Sequence, residues 1–243
     1  MKRAVYRALW LIPLGLSVFS STAFAQDATG PVGAGGVSWV VVVAAAAAIP
    51  LLGMMLSAFV KIAVVLSILR MGFGANGVPS AQIVFGLSLI LALFAMAPVI
   101  DDMWTAGKAA YEAAPPEASQ IEMLEAVVAR SLEPLETFLG RHAHASDVAL
   151  FASMSPEGRA PDSIAIIGPA FVTSELKEAF QIGFLILLPF LVIDLVVANV
   201  LGVTGLQSLS PAMISLPLKL LLFVLVDGWY LIARGLIEPY VSS

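Results

Sequence analysis

AFQIGFLILLPFLVIDLVVANVLGVTGLQSLSPAMISLPL, residues 179 to 218, runs forty positions with a single charge, Asp194, set mid-run after Pro189. About 20 apolar residues cross a bilayer core as a helix, so this stretch holds two spans. The division falls at Thr204 to Pro211, where Gly205 and Pro211 supply turn chemistry. The reading is a helical hairpin, its second arm continuing through Lys219 and Asp227 to about Ala233. A charge at bilayer depth costs roughly 2.5–3.5 kcal/mol and almost always faces protein or water. Asp194, Lys219, Asp227 and Lys61, which repeats the anomaly earlier in the chain, are therefore read as intramembrane polar groups of an assembled, polytopic protein.

Asp194 lies about ten residues before the loop and Lys219 about eight after it. At 1.5 Å per helical residue the two reach similar depth, so they form a plausible buried pair that fixes hairpin register. Asp227 lies two turns beyond Lys219, too far for contact along one helix, and calls for a partner from an adjoining subunit.

Outward from the hairpin, 60% hydrophobic and 12% charged residues place the whole chain in the membrane class. Residues 1–25 have the form of a cleavable signal peptide: Lys2, Arg3 and Arg7, an apolar centre, then Ala23-Phe24-Ala25. Removing those three basic residues shifts the net charge from −5 to −8, which argues against a nucleic-acid partner. Residues 26–36 read as a flexible Gly- and Pro-rich leader. Residues 37–100 read as a first hairpin, with span one from Val37 to Val60, interrupted near Pro50. Span two runs from Ala81 to Ile100 and is ended by Asp101-Asp102. Each apolar segment carries a proline, Pro50, Pro98, Pro189 or Pro217, and the carbonyl it frees needs protein or a watery pathway beside it.

Residues 101–173 form a charged helical insert; positions 101–162 alone hold 11 acidic and 4 basic residues and both histidines. Ser119-Gln120-Ile121-Glu122 has the form of a capping box opening a helix with apolar Ile121, Leu124, Val127, Val128 and Leu132. Pro134 should kink that helix or begin another, and Ser146-Asp147 should cap a short helix through Phe151. The second hairpin and tail take residues 174–243, with Glu175 and Glu178 in the first turn, where acids suit the positive end of the helix dipole. A cleaved signal puts the insert outside the inner membrane and the loops 71–80 and 204–211 inside. The expected fold is all-α: about four long, proline-broken hydrophobic helices in hairpins with a small extracytoplasmic insert.

No cysteine is present, so thiol chemistry and thiolate metal sites are excluded. His142 and His144, at i and i+2, point to different sides of a helix and have no carboxylate at metal-ligand spacing. Neither a His-Glu-x-x-His motif nor a phosphate-binding Gly loop occurs. The reading is of a non-enzyme without metal or cofactor.

Three collinear blocks carry a resemblance. Ala58 to Arg70 (AFVKIAVVLSILR), Ala170 to Phe184 (AFVTSELKEAFQIGF) continuing through Leu188 to Leu195, and Ile214 to Leu220 (ISLPLKL) ending in Val226-Asp227-Gly228-Trp229 resemble signatures of the FliP/SctR family. That family comprises flagellar and type III secretion export-gate membrane proteins. The resemblance implies a homo-oligomeric ring, joined by two smaller export-gate membrane subunits, that conducts unfolded exported proteins across the bacterial inner membrane of a flagellar basal body or injectisome. It also implies that many apparent spans pack on one another rather than on lipid. Family members carry a methionine-rich loop between the third and fourth segments that seals the pore. Leu206, Gln207 and Ser208 inherit that pore-loop position here, with no methionine from Gly205 to Pro211. The competing reading is a small ion or solute carrier in which Asp194, Lys219 and Asp227 titrate, although no inverted repeat is visible.

Overall fold

The computed structural model describes residues 39–74, 79–115, 117–156, 160, 162–206 and 208–241, the side chains of 39–46 excepted. The expected signal peptide and leader lie outside the described residues. Among the described residues the fold is all-helical: α1 Trp39–Met55, α2 Phe59–Phe73, α3 Ala81–Ala113, α4 Gln120–His142, α5 Ala145–Met154, α6 Ile164–Val203, α7 Pro211–Leu225 and α8 Gly228–Val241.

Two helices, α3 and α6, are long and apolar enough to cross a membrane, and the broken pairs α1/α2 and α7/α8 raise the number to four if each pair is one span. The first break does not fall at Pro50, which lies inside α1, but at Leu56–Ala58. There Leu56 N–H closes the last turn on Leu52 and the Ser57 hydroxyl donates to the Met54 carbonyl at 2.9 Å, taking up an acceptor that a continuing helix would need. Asp101-Asp102 ends the apolar pattern without ending the helix. α3 runs on to Ala113, with Thr105 Oγ1 back-bonded to the Asp101 carbonyl, and stops short of Pro115-Pro116, where proline disfavours helical geometry in the residue before it.

The described residues divide into two contact groups, those within 39–57 and 97–134, and those within 58–96 and 135–241. In the first, the end of α3 meets the start of α4 closely enough that a Cβ on Gly107 would lie 2.3 Å from Ser131 Oγ. The capping box forms as expected: Glu122 N–H donates to Ser119 Oγ at 3.3 Å, and Ser119 N–H donates to Glu122 Oε2 at 2.9 Å. Hydrogen bonding from the Ser119 backbone N–H, then from the Ser119 side chain, holds the Glu122 carboxyl below its ordinary range. Pro134 starts no new helix, since α4 continues to His142. The apolar periodicity of α4 is real, yet Ile121, Leu124 and Val128 are exposed.

The second group is built on α2 against α6. Small residues let the two helices approach: a Cβ on Gly183 would lie 2.3 Å from Ile68 Cδ1, and one on Gly72 2.4 Å from Phe190. Phe73 rests on Phe190 of α6 and on Phe223 of α7, ring centroids 5.0 and 5.3 Å apart, so these three rings lie at one level. α6 begins at Ile164, ten residues before the position read from the sequence, which puts Glu175 and Glu178 inside the helix rather than at its positive end.

The second arm is not one continuous span. α7 stops at Leu225, Asp227 takes a left-handed conformation (φ 51°), and α8 leaves at 61°. Gly228 makes the corner possible, because the ring of Phe223 occupies the space its Cβ would take, at 2.3 Å. Gly228→Ala is therefore expected to destabilise the chain by about 1–3 kcal/mol through overpacking. Thermal unfolding in detergent would show it as a lowered midpoint, and an unchanged midpoint would mean the corner repacks freely.

Candidate functional site

Lys61 sits in α2 with its side chain 2% exposed, a position tolerable only with compensation. Compensation comes from α6, where Glu175 and Glu178, three residues apart, share one face. Lys61 Nζ lies 3.0 Å from Glu175 Oε1 and 2.7 Å from Glu178 Oε2, and 4.7 Å from the ring centroid of Tyr240 in α8. The Tyr240 hydroxyl donates to Glu175 Oε2. A buried lysine thus draws three helices together.

The α4–α5 corner joins the same cluster. His144, extended at the start of α5, places Nε2 2.8 Å from Glu178 Oε1, and its backbone N–H donates to Ser174 Oγ at 2.9 Å. Asp147 does not cap α5, which runs from Ala145 to Met154 rather than ending at Phe151. Its carboxylate accepts instead from Lys177 and from Ser174 Oγ of α6. The Lys177 bond, then the Ser174 bond, hold the Asp147 carboxyl below its usual range. A lowered folded-state value stabilises at neutral pH and loses that contribution as pH falls through the folded value. Acidification below the carboxylate range is thus expected to loosen α5 from α6, read as faster amide exchange over 145–154. Asp147→Asn should show loosening already at neutral pH, and identical exchange in both proteins would contradict this. His142 packs between Phe138 and Tyr240, and burial, with Lys61 and Arg141 near, holds it below the ordinary histidine range.

The second cluster lies further along the hairpin. Lys219 of α7, 4% exposed in its side chain, donates to Asp194 Oδ2 at 2.7 Å and to the Gly72 carbonyl at 2.8 Å. The pair read from the sequence is present, and it also ties down a carbonyl near the end of α2. Asp194 keeps 45% of its side chain exposed. Asp227 is not in this cluster; it is exposed at the α7–α8 corner.

Between the two arms, Gly205 (φ 72°) ends α6: Leu206 N–H reaches the Leu201 carbonyl at 3.1 Å and Gly205 N–H the Gly202 carbonyl at 3.4 Å. This is a Schellman-type cap, and Pro211 then opens α7 at a position where its missing N–H costs nothing. Leu206 and Ser208 are exposed at the tip, and Gln207 lies outside the described residues.

Sequence reading missed Glu175, Glu178 and Tyr240 as partners of Lys61, and His144 as a partner of Glu178. The usable signal was the i, i+3 acid pair: a lysine inside an apolar helix needs carboxylates, and these two share a face. Among the described residues no group of three or more His, Cys, Asp or Glu side chains could hold a metal.

Described residues folded as helices, with Lys61 and Lys219 neutralised inside apolar ones and some helices long enough to span a bilayer, define a polytopic membrane protein. Residues 42–236 match the FliP family, and the chain belongs to it; the family covers the flagellar and type III secretion export gate. It is 38% identical to a flagellar biosynthetic protein FliP of Pectobacterium carotovorum subsp. carotovorum, over 95% of this chain and 92% of that one. It is also 40% identical to the Yop proteins translocation protein R of Yersinia pestis, over 84% of this chain and 96% of the relative. The harpin secretion protein HrcR of Erwinia amylovora is 36% identical, over 79% and 91%.

Proposed function

We propose that the chain is the core pore-forming subunit of a type III protein export gate, assembling with copies of itself and with two smaller membrane subunits into a ring that conducts unfolded proteins across the inner membrane. The observation that carries this reading is the α7–α8 corner. An exposed carboxylate and a 61° break within a predominantly apolar arm are not stable against acyl chains, which offer no partner to a charge or a freed carbonyl. Neighbouring protomers around an aqueous passage supply both. The residues flanking the corner, Val224 and Leu225, are each 73% exposed and await such a cover. Leu206 and Ser208, at the tip of the α6–α7 turn, are assigned with Gln207 to the constriction, and residues 101–162 to the extracytoplasmic side.

The carrier reading asks Asp194, Lys219 and Asp227 to work as one titrating site. Asp194 and Lys219 already neutralise each other at 2.7 Å, while Asp227 stands at the corner two turns away. Membrane extraction in mild detergent followed by native electrophoresis tests the assembly: a discrete ring is expected, and a stable, solitary protomer would overturn it.

A further inference from the structure

In the 58–96/135–241 group, the buried lysines Lys61 and Lys219 are neutralised within the chain, whereas, among the described residues, Arg70 and Asp227 are not. Lys61 and Lys219 have carboxylates within 3.0 Å. Arg70 of α2 has no carboxylate within ion-pair distance among the described residues, and its Nε is buried without an acceptor. Asp227 has no cation within ion-pair distance among the described residues. It is fixed by its backbone, with its carbonyl accepting from Leu231 N–H at 3.1 Å, and its carboxylate faces outward.

The two orphans share a level. Phe73 of α2 and Phe223 of α7 are in ring contact, 5.3 Å between centroids, and mark one height on the bundle. α2 runs parallel to α6, with Ile68 against Gly183 and Gly72 against Phe190, and α7 runs back along α6 after the turn. Three residues back from Phe73 to Arg70 is about 4.5 Å, and α7 runs on two residues from Phe223 to Leu225, about 3 Å, before the corner that carries Asp227, at 1.5 Å per helical residue. Both steps go the same way, away from the 204–210 turn. The unpaired cation and the unpaired anion therefore stand within about one helical turn of each other, each beside exposed apolar side chains: Met71 next to Arg70, Val224 and Leu225 near Asp227.

We propose that Arg70 of one copy pairs with Asp227 of the next, so that this pair defines the protomer–protomer interface of the ring. A rotation about an axis along the bundle preserves level, and a head-to-tail contact of one patch with a different patch is the kind that closes into a ring. The inference rests on the ring reading above and names its contact. Guanidinium is suited to a partly buried, bidentate carboxylate partner, and lysine would not replace it equally. A lipid phosphate could satisfy Arg70 but leaves Asp227 unmatched at the same height; a second copy satisfies both.

The test uses the full chain in its native membrane, where the absence of cysteine gives a clean background. Differently tagged copies carrying Arg70→Cys and Asp227→Cys are co-expressed and treated with a short bifunctional maleimide. A mixed adduct is expected for this pair and none for Arg70→Cys with itself. In parallel, Arg70→Asp and Asp227→Arg should each lose the ring on native gels, and the double swap should regain it. A wild-type ring with no mixed adduct and no rescue overturns the pairing while leaving the ring reading intact. Loss of co-purifying anionic phospholipid from Arg70→Asp with the ring unchanged overturns it in favour of a lipid partner. A wild-type protein that migrates as a monomer overturns both.

Discussion

Lys61→Met should destabilise the chain by about 3–5 kcal/mol, the usual cost of removing one partner from a buried ion pair. Without the ammonium, Glu175, 1% exposed, is left among the described residues with the Tyr240 hydroxyl as its hydrogen-bond partner, and Glu178 loses its 2.7 Å contact. At about 2–4 °C per kcal/mol for a chain of this size, the unfolding midpoint in detergent should fall by roughly 10 °C. Adding Glu175→Gln to Lys61→Met should recover part of the loss, because the neutral amide no longer buries a charge. Glu178→Gln alone should cost less, since a third of that side chain reaches solvent. An unchanged midpoint in Lys61→Met would mean that the cluster is ornamental to the fold.

The second large effect is asymmetric. Asp194→Ala strands the Lys219 ammonium, 4% exposed, with only the Gly72 carbonyl as acceptor, whereas Lys219→Met strands a carboxylate that is 45% exposed. Removing the acid is therefore expected to cost more, about 3–5 kcal/mol, and to abolish ring assembly. Removing the lysine should cost about 1–3 kcal/mol, the penalty for a polar group left without its partner. Thermal unfolding with native electrophoresis of the two variants gives the order. Equal losses, or an assembled ring from Asp194→Ala, would count against a register role for the pair.

Why one cluster was legible in the sequence and the other was not follows from where the charges stand. Asp194 and Lys219 interrupt apolar runs on either side of a short Gly–Pro turn, so helical rise alone brings them together. Glu175 and Glu178 lie just before the apolar run, where acids are unremarkable, and the uncharged Ile164–Thr173 turns that lengthen α6 backwards carry no start signal beyond Ser163. With the helix begun at Ile164, the same two acids move from a solvated end to the face opposite Lys61. Tyr240 is 65 residues from Glu175, and no periodicity reports so distant a contact. The helix breaks illustrate the same limit: prolines 50, 98, 134, 189 and 217 all sit inside helices. The actual breaks occur at Leu56–Ala58 and at Val226-Asp227, where a serine back-bond and, just after the second, a glycine without room for a Cβ set the corner. α4 shows that periodicity identifies a face without saying what covers it.

Cargo contact is the sharpest test of the export reading. A secretion substrate stalled by a folded C-terminal fusion should crosslink to a photoreactive residue placed at Leu206 or Ser208, at the tip of the turn, and not to one placed at Met154, exposed at the end of α5. Substrate trapped at the turn and absent from the control is the predicted result. A stalled substrate that reaches neither Leu206 nor Ser208, in cells whose rings are intact, would contradict a passage lined by this chain.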